Sequence, residues 1–402
     1  MRFCGSRLCL AVSAFGMGLA SLPAAAASVE ERLEILTQEV EQLKARQHSA
    51  APGTAETTHA HGRAPQAAEQ RGVGQTFVGS YGEMHYNNLE SKQELDFHRF
   101  ILFLGHNFSD RVRLFSELEL EHSLAGEGKK GEVELEQAYL EFDLNSDHAA
   151  KAGLFLIPVG IINETHEPPT FYGVERNPVE SNIIPTTWWE GGMGLSGKLS
   201  AGLRYDLALT SGLKVNPNPA GKPQDAYLIR GGRQKVSEAN ADDGALTTRL
   251  RWTGIPGVEL AATFMYQDDL AQANGGADAA SATLIETHAA ISKGPFGLRA
   301  LYAQWDLDGA GPATGASPGR DKQLGWYLEP SFKLSQKLGA FARYAEWDNN
   351  AGSARTVNAK KDQTNVGVNY WPQENVVLKF DVQQQGNNGS DDGFNLGVGY
   401  MF

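Results

Sequence analysis

From residue 75 to the C-terminus, apolar and polar side chains alternate one by one, in short blocks separated by turn-forming residues. The last block shows the rule. Phe394, Leu396, Val398, Tyr400 and Phe402 fall on one face of a strand, and Asn395, Gly397 and Gly399 on the other. In water such a strand is an aggregation-prone edge. In a closed barrel its apolar face meets lipid and both its edges are paired. The same pattern predicts sixteen strands, over 75–87, 94–108, 111–124, 131–144, 150–158, 192–199, 202–211, 245–254, 257–268, 282–293, 296–306, 322–334, 338–347, 362–371, 375–385 and 393–402. The number is even, as in bacterial outer-membrane barrels, and the connections alternate between short turns and longer loops. Ser109-Asp110 and Gly294-Pro295 belong to the short set; 159–191 and 212–244 are the longest of the other. The predicted fold class is all-β: a 16-stranded antiparallel transmembrane β-barrel with an inward-folded third loop, preceded by a short N-terminal coiled-coil helix. Sixteen strands leave an aqueous lumen, so the architecture itself predicts a pore.

Ahead of the barrel the pattern changes three times. Residues 1–27 read as a secretory signal: Arg2 and Arg7, an apolar run from Leu8 to Leu22, then Pro23 and small residues. Over 28–47, Val29, Leu33, Leu36, Val40 and Leu43 form an a/d seam, predicting a coiled-coil helix. Residues 48–74, rich in Ala, Gly, Pro, Thr and His, predict a flexible linker. The domains are then signal peptide, coiled coil, linker, and a barrel over 75–402.

Within the strands the polar face is charged. Arg204 and Asp206, Arg249 and Arg251, and Lys379 and Asp381 alternate with Leu, Phe, Val and Trp. That face must be the lumen, because a charge facing mid-bilayer lipid costs about 2–4 kcal/mol. The third and fourth strands carry acidic rows, Glu117, Glu119 and Glu121, then Glu132, Glu134 and Glu136. Like charges paired across strands destabilise, so basic partners are expected. Arg111, Arg113, Lys129 and Lys130 lie near in sequence; Arg204, Arg249, Arg251, Arg299 and Arg343 are candidates across the lumen. Acidic and basic walls would set a field across the pore. In 131–144 the alternation slips, so facing there is open.

The loop 159–191 is the expected constriction. It is long, stiffened by Pro168, Pro169, Pro178 and Pro185, and carries Glu164, His166, Glu167, Glu175, Arg176 and Glu180. Its cover is needed by two runs apolar on both faces, Leu154–Ile157 and Phe100–Leu104. Trp188 and Trp189 close it and are expected as interfacial anchors.

Composition changes this picture little. A formal charge of −13 argues against a nucleic-acid partner. The only cysteines, Cys4 and Cys9, lie in the signal, so no disulfide framework holds the exported chain. The Glu rows suit a divalent cation, but no metal site and no cofactor is predicted. Gly-x-Ser-x-Gly and His-Glu-x-x-His are absent, and Gly126–Gly131 lacks the Lys-Ser/Thr ending of a phosphate-binding loop, so no enzyme is predicted.

Several stretches resemble the phosphate-selective porin O and P family of Gram-negative bacteria. They are Asn365–Trp371, Glu374–Phe380, Ser390–Phe402, Gln137–Phe142, Gly153-Leu154-Phe155 through Pro158-Val159-Gly160, and Val174-Glu175-Arg176-Asn177. The resemblance implies a homotrimer in outer-membrane lipid with a constricting third loop. It also implies that the barrel-assembly machinery reads the terminal strand at Phe402, and the heptads look like the periplasmic extension of sugar porins. The family's arginine ladders are not matched, since the constriction loop is mostly acidic and only Arg176 fits. The expected function is therefore passive diffusion of small hydrophilic solutes or ions across the outer membrane. A structural tether to the cell wall through the coiled coil, and a phosphate- or sugar-selective channel, are the alternatives.

Overall fold

The computed structural model describes residues 73–387 and 389–402. The expected signal peptide, coiled coil and nearly all of the linker lie outside them.

Sixteen strands follow one another: β1 Thr76–Leu89, β2 Gln93–Asn107, β3 Val112–Glu121, β4 Val133–Asp143, β5 His148–Leu156, β6 Trp189–Ser200, β7 Leu203–Thr210, β8 Ala245–Ile255, β9 Val258–Gln267, β10 Ser281–Lys293, β11 Phe296–Asp308, β12 Lys322–Lys333, β13 Leu338–Asp348, β14 Lys361–Gln373, β15 Val376–Asn387 and β16 Gly393–Met401. Each pairs antiparallel with its neighbours, and β1 pairs with β16, so the barrel closes. All sixteen expected strands are present, with no end moved by more than three residues. Closure runs to the last residue. The N–H of Ser80 donates to the Phe402 carbonyl at 3.0 Å and the N–H of Phe402 to that of Ser80 at 2.9 Å. No strand edge is left bare, as a hydrocarbon environment demands.

The alternation reads directly into the two faces. On β15, Leu378, Phe380 and Val382 are 40–49% exposed on the outer face, while Lys379, Asp381 and Gln383 are at most 6% exposed on the inner one. Tight turns use the expected residues. Between β8 and β9, Pro256 precedes Gly257 at φ +76, where a side chain would also strike the Ser292 carbonyl. Pro then Gly with positive φ suits a type II turn.

Two β-bulges break the ladders on one wall. Between β1 and β2, Glu83 pairs with Arg99 but His85 with Asp96, so β2 carries an extra residue. Between β3 and β4, Glu117 pairs with Gln137 but Leu118 with Leu135, so Glu136 is the extra residue. The second bulge resolves the slip in 131–144. Both Glu136 and Gln137 are buried, and Leu140 and Phe142 turn outward beyond them.

The connection 157–188, between β5 and β6, holds a short helix α1 (Pro178–Asn182). Its Ile157, Val159, Ile161, Val179, Ile183, Ile184 and Trp188 form one buried apolar cluster with Leu213, Val215, Tyr227 and Ile229 from the 211–244 connection and inner residues of β9 to β13. A second cluster, Phe77, Tyr81, Ile101, Phe103, Phe115, Tyr139 and Phe155, lines β1 to β5. Ile101 and Phe103 pack in this cluster, with Tyr81–Phe103 and Phe103–Phe115 centroids each 5.5 Å apart, and His166 of the 157–188 connection meets the Tyr81 ring edge-on at 5.8 Å. Trp188 and Trp189 are 0% and 3% exposed, which overturns the expectation of interfacial anchors. Trp188 packs on Trp305, and its indole N–H donates to Glu190 at 2.9 Å.

Candidate functional site

The backbone of the 157–188 segment is hydrogen-bonded to side chains of β2, β11, β13, β14 and β15. Arg99 of β2 donates to the His166 carbonyl at 2.9 Å and Trp371 of β14 to that of Pro169 at 3.2 Å. Arg299 of β11 donates to Thr170 at 2.8 Å, Asn369 of β14 to Phe171 at 3.0 Å and Arg343 of β13 to Tyr172 at 3.3 Å. The Val174 N–H reaches Asp381 of β15 at 2.8 Å, and Lys379 stands 3.4 Å over the Phe171 ring. Pro168 and Pro169, which carry no N–H of their own, open a single 3-10 turn, Pro168–Thr170, on this path.

Inside the segment Glu180 is the knot. It is fully buried and accepts from the N–H of Ile161 at 2.9 Å and from Tyr327 at 2.8 Å. Burial pushes its carboxyl above the ordinary range, against the pull of these donors. Glu164 pairs with Arg249, which also bonds Asp206 at 2.8 Å. Glu167 precedes the Pro168-Pro169-Thr170 turn, and burial raises its carboxyl too. Glu175 accepts from His85 at 3.2 Å and Asn87 at 2.9 Å. Burial works against its ionisation, but His85 outweighs it and holds the carboxyl well below the usual range. Arg176 donates to the Thr187 hydroxyl at 2.8 Å.

Between this segment and the β1–β4 wall lies a cavity of ≈ 220 Å³. Its strand side is acidic: Glu83, Glu119, Glu121, Glu134 and Glu136, with Arg99, His85 and His98 among them. Its other side carries Arg176 and, from the 211–244 connection, Arg230, Arg233 and Lys235. Arg230 donates to the Ser181 carbonyl, and Arg233 to that of Thr187 at 2.7 Å. Burial lowers both guanidinium pKa values, that of Arg230 to about 10. Lys235 pairs with Glu132 at 2.8 Å and with Glu134. The arrangement sets acidic strand groups and basic loop groups around one cavity.

A family model described as phosphate-selective porin O and P matches residues 72–392. The chain belongs to that family. It is an outer-membrane porin of the Gram-negative type, a diffusion channel, and family and fold speak for a channel rather than an enzyme. An uncharacterized protein of Aquifex aeolicus is 29% identical over 342 residues, 77% of this chain and 75% of its own. Two solved barrels share the fold. The outer-membrane channel DcaP of Acinetobacter baumannii has a TM-score of 0.56 at 13% identity, covering 85% of this porin and 100% of that chain. The anion-selective porin of Comamonas acidovorans has a TM-score of 0.55 at 11% identity, covering 82% and 100%.

The strand residues expected on the inner face of the porin do lie there: Glu117, Glu119, Glu121, Glu134, Arg204, Arg249, Arg251, Arg299, Arg343 and Lys379 share the inward parity of buried neighbours. Glu132 stands just ahead of β4, exposed, at Lys235. The expected partners of the Glu rows are corrected. Arg113 turns to Glu141 at 2.7 Å and Asp143 at 2.6 Å, and Arg343 to Glu329 at 3.3 Å. The rows meet Lys235, and Glu117 accepts from Tyr81 at 3.1 Å and Gln137 at 2.6 Å. Arg299 and Arg343 hold loop carbonyls instead of facing the acids. Sequence reasoning missed Arg99, His85 and His98, and missed Arg230, Arg233 and Lys235. The first three sit at a bulge that shifts parity. The others were visible as a basic run, Arg230 to Lys235, in the 212–244 loop.

Proposed function

We propose that the 157–188 segment folds into the lumen and narrows it to the charged cavity beside β1–β4, where solutes pass between opposed charges. The observation that carries this is the acidic β3–β4 wall facing Arg230, Arg233 and Lys235 across one cavity. Six glutamates and five arginines and lysines line it, with His85 and His98 among them, so at most about one unit charge is uncompensated. One uncompensated unit charge at roughly 8 Å in water is worth about 0.5 kcal/mol, a factor of about two in ion preference. The porin is therefore a weakly selective channel whose transverse field orients small dipolar and zwitterionic solutes. Concentrating phosphate requires free cationic donors. Here Lys235 is paired with carboxylates, while Arg176, Arg230 and Arg233 each give an N–H to a hydroxyl or carbonyl and keep their charge, so what opposes phosphate is the acidic wall across from them.

The same reading takes the described barrel as one protomer of a homotrimer, exported by a signal over 1–27, with the 28–47 heptads as a periplasmic coiled coil. The test is charge reversal at the basic side. Arg233→Glu with Lys235→Glu should raise the cation-to-anion permeability ratio severalfold in planar bilayers. An unchanged ratio would remove these residues from the ion path and the reading with them.

A further inference from the structure

We propose that Glu117, Glu136 and His166 bind one divalent first-row transition-metal ion, which fastens the 157–188 segment to β3 and β4. The His166 Nε2 lies 3.5 Å from Glu117 Oε1 and 3.6 Å from Glu136 Oε2. These separations exceed the usual N–H···O range. They match ligand-to-ligand edges around an ion, since two ligands about 2.1 Å from a tetrahedral centre stand roughly 3.4 Å apart.

Burial makes the gap significant. Glu117, Glu136 and His166 are 1%, 1% and 3% exposed. Glu136 Oε2 and His166 Nε2 have no hydrogen-bond partner. The other ring nitrogen is engaged: Nδ1 lies 3.1 Å from the Asn163 carbonyl, to which its N–H donates. That bond leaves Nε2 as the ring nitrogen turned toward two carboxylates, the outer-shell arrangement typical of a metal-ligating histidine. Glu117 is fixed in turn by Tyr81 and Gln137. The β4 bulge is what brings Glu136 to this face, and bulges commonly re-aim a side chain beside a site.

Charge points the same way. Glu83, Glu117, Glu119 and Glu136 are all buried together, and Arg99 is the permanent cation buried beside them, already paired with Glu83 at 2.6 Å. A divalent ion offsets the remaining negative charge. One imidazole with two carboxylates and no thiolate suits zinc, iron(II) or manganese. The competing place is Asp96 with His98 and His122. There Asp96 Oδ2 already takes a 2.8 Å bond from His122, and the groups are part-exposed. The proposal rests on the contacts of His166 with β3 and β4, not on the selectivity reading.

The test uses the full chain in detergent, stripped with chelator and dialysed against zinc chloride, with bound zinc counted by atomic emission. His48→Ala, His59→Ala and His61→Ala are carried throughout, so that only the barrel is read. One zinc per chain is expected. His166→Ala and Glu136→Gln should weaken binding by at least the roughly 10–100-fold that loss of an outer-shell partner costs. His122→Ala should leave it unchanged, and X-ray absorption should show nitrogen and oxygen neighbours. Zinc kept by His166→Ala, or lost only in His122→Ala, overturns the proposal. If either site variant fails to fold, the folded parent chain decides: retention of zinc with the expected neighbours supports the site, and no retention overturns it.

Discussion

Arg99 shows how much one residue can carry inside a barrel. It is 1% exposed, pairs with Glu83 at 2.6 Å, donates to the His166 carbonyl and lies 5.2 Å from the Tyr81 ring centroid. Removing one partner of a buried ion pair strands the other charge, at a cost of about 3–5 kcal/mol. Arg99→Ala should therefore lower barrel stability by that order in denaturant unfolding, and should increase open-channel noise as the 157–188 segment loses a tether. A variant as stable and as quiet as the parent would show that Arg99 holds nothing. The sequence offered no sign of this role. Arg99 sits in a run of Phe and Ile with no charged neighbour at its own spacing, and its carbonyl partner is 67 positions away. Lys379 and Arg249, by contrast, were legible because regular alternation put them inside.

At the scale of the element, the two bulges mark where reading by alternation stops working. Period two assigned faces correctly in β7, β8, β15 and β16, whose ladders run in register over the assigned residues. It left facing open in β4, where one extra residue moves every later side chain to the other face. The charges that build the cavity cluster at these two irregularities, so the hardest part of the sequence to read is also the part that concentrates the chemistry. Deleting Gln137 should remove the extra residue and keep Tyr139 and Glu141 inward, so folded, heat-modifiable barrel should persist on gels, whereas deleting Phe380 from the regular ladder of β15 should force Lys379 or Asp381 toward lipid, at about 2–4 kcal/mol near mid-bilayer, and strongly reduce it. Deleting one residue from the 269–280 connection should leave the folded fraction unchanged. Loss of folded barrel on deleting Gln137, as on deleting Phe380, would mean that the β4 bulge does not set the facing.

For the whole molecule, strand number, antiparallel order and closure were all legible, because lipid on one side and water on the other impose one pattern on every strand. The packing of the long connections was not. The 157–188 and 211–244 connections carry no period, and their partners are inner residues spread over most of the ring. Closure at Phe402 gives a whole-barrel prediction. Its ring is 74% exposed on the outer face while its backbone completes the ladder to Ser80. Phe402→Ser should keep that pairing yet reduce folded protein in the membrane, if the terminal aromatic is read during insertion; equal levels of heat-modifiable protein would exclude that role. The most direct test of the central claim is the zero-current potential of the parent protein in a planar bilayer across a potassium chloride gradient, repeated with phosphate added. A nearly balanced cavity predicts a permeability ratio within about threefold of unity, with no block by millimolar phosphate. A strongly anion-selective pore blocked by phosphate would contradict the account and place free cationic groups, not paired ones, at the constriction.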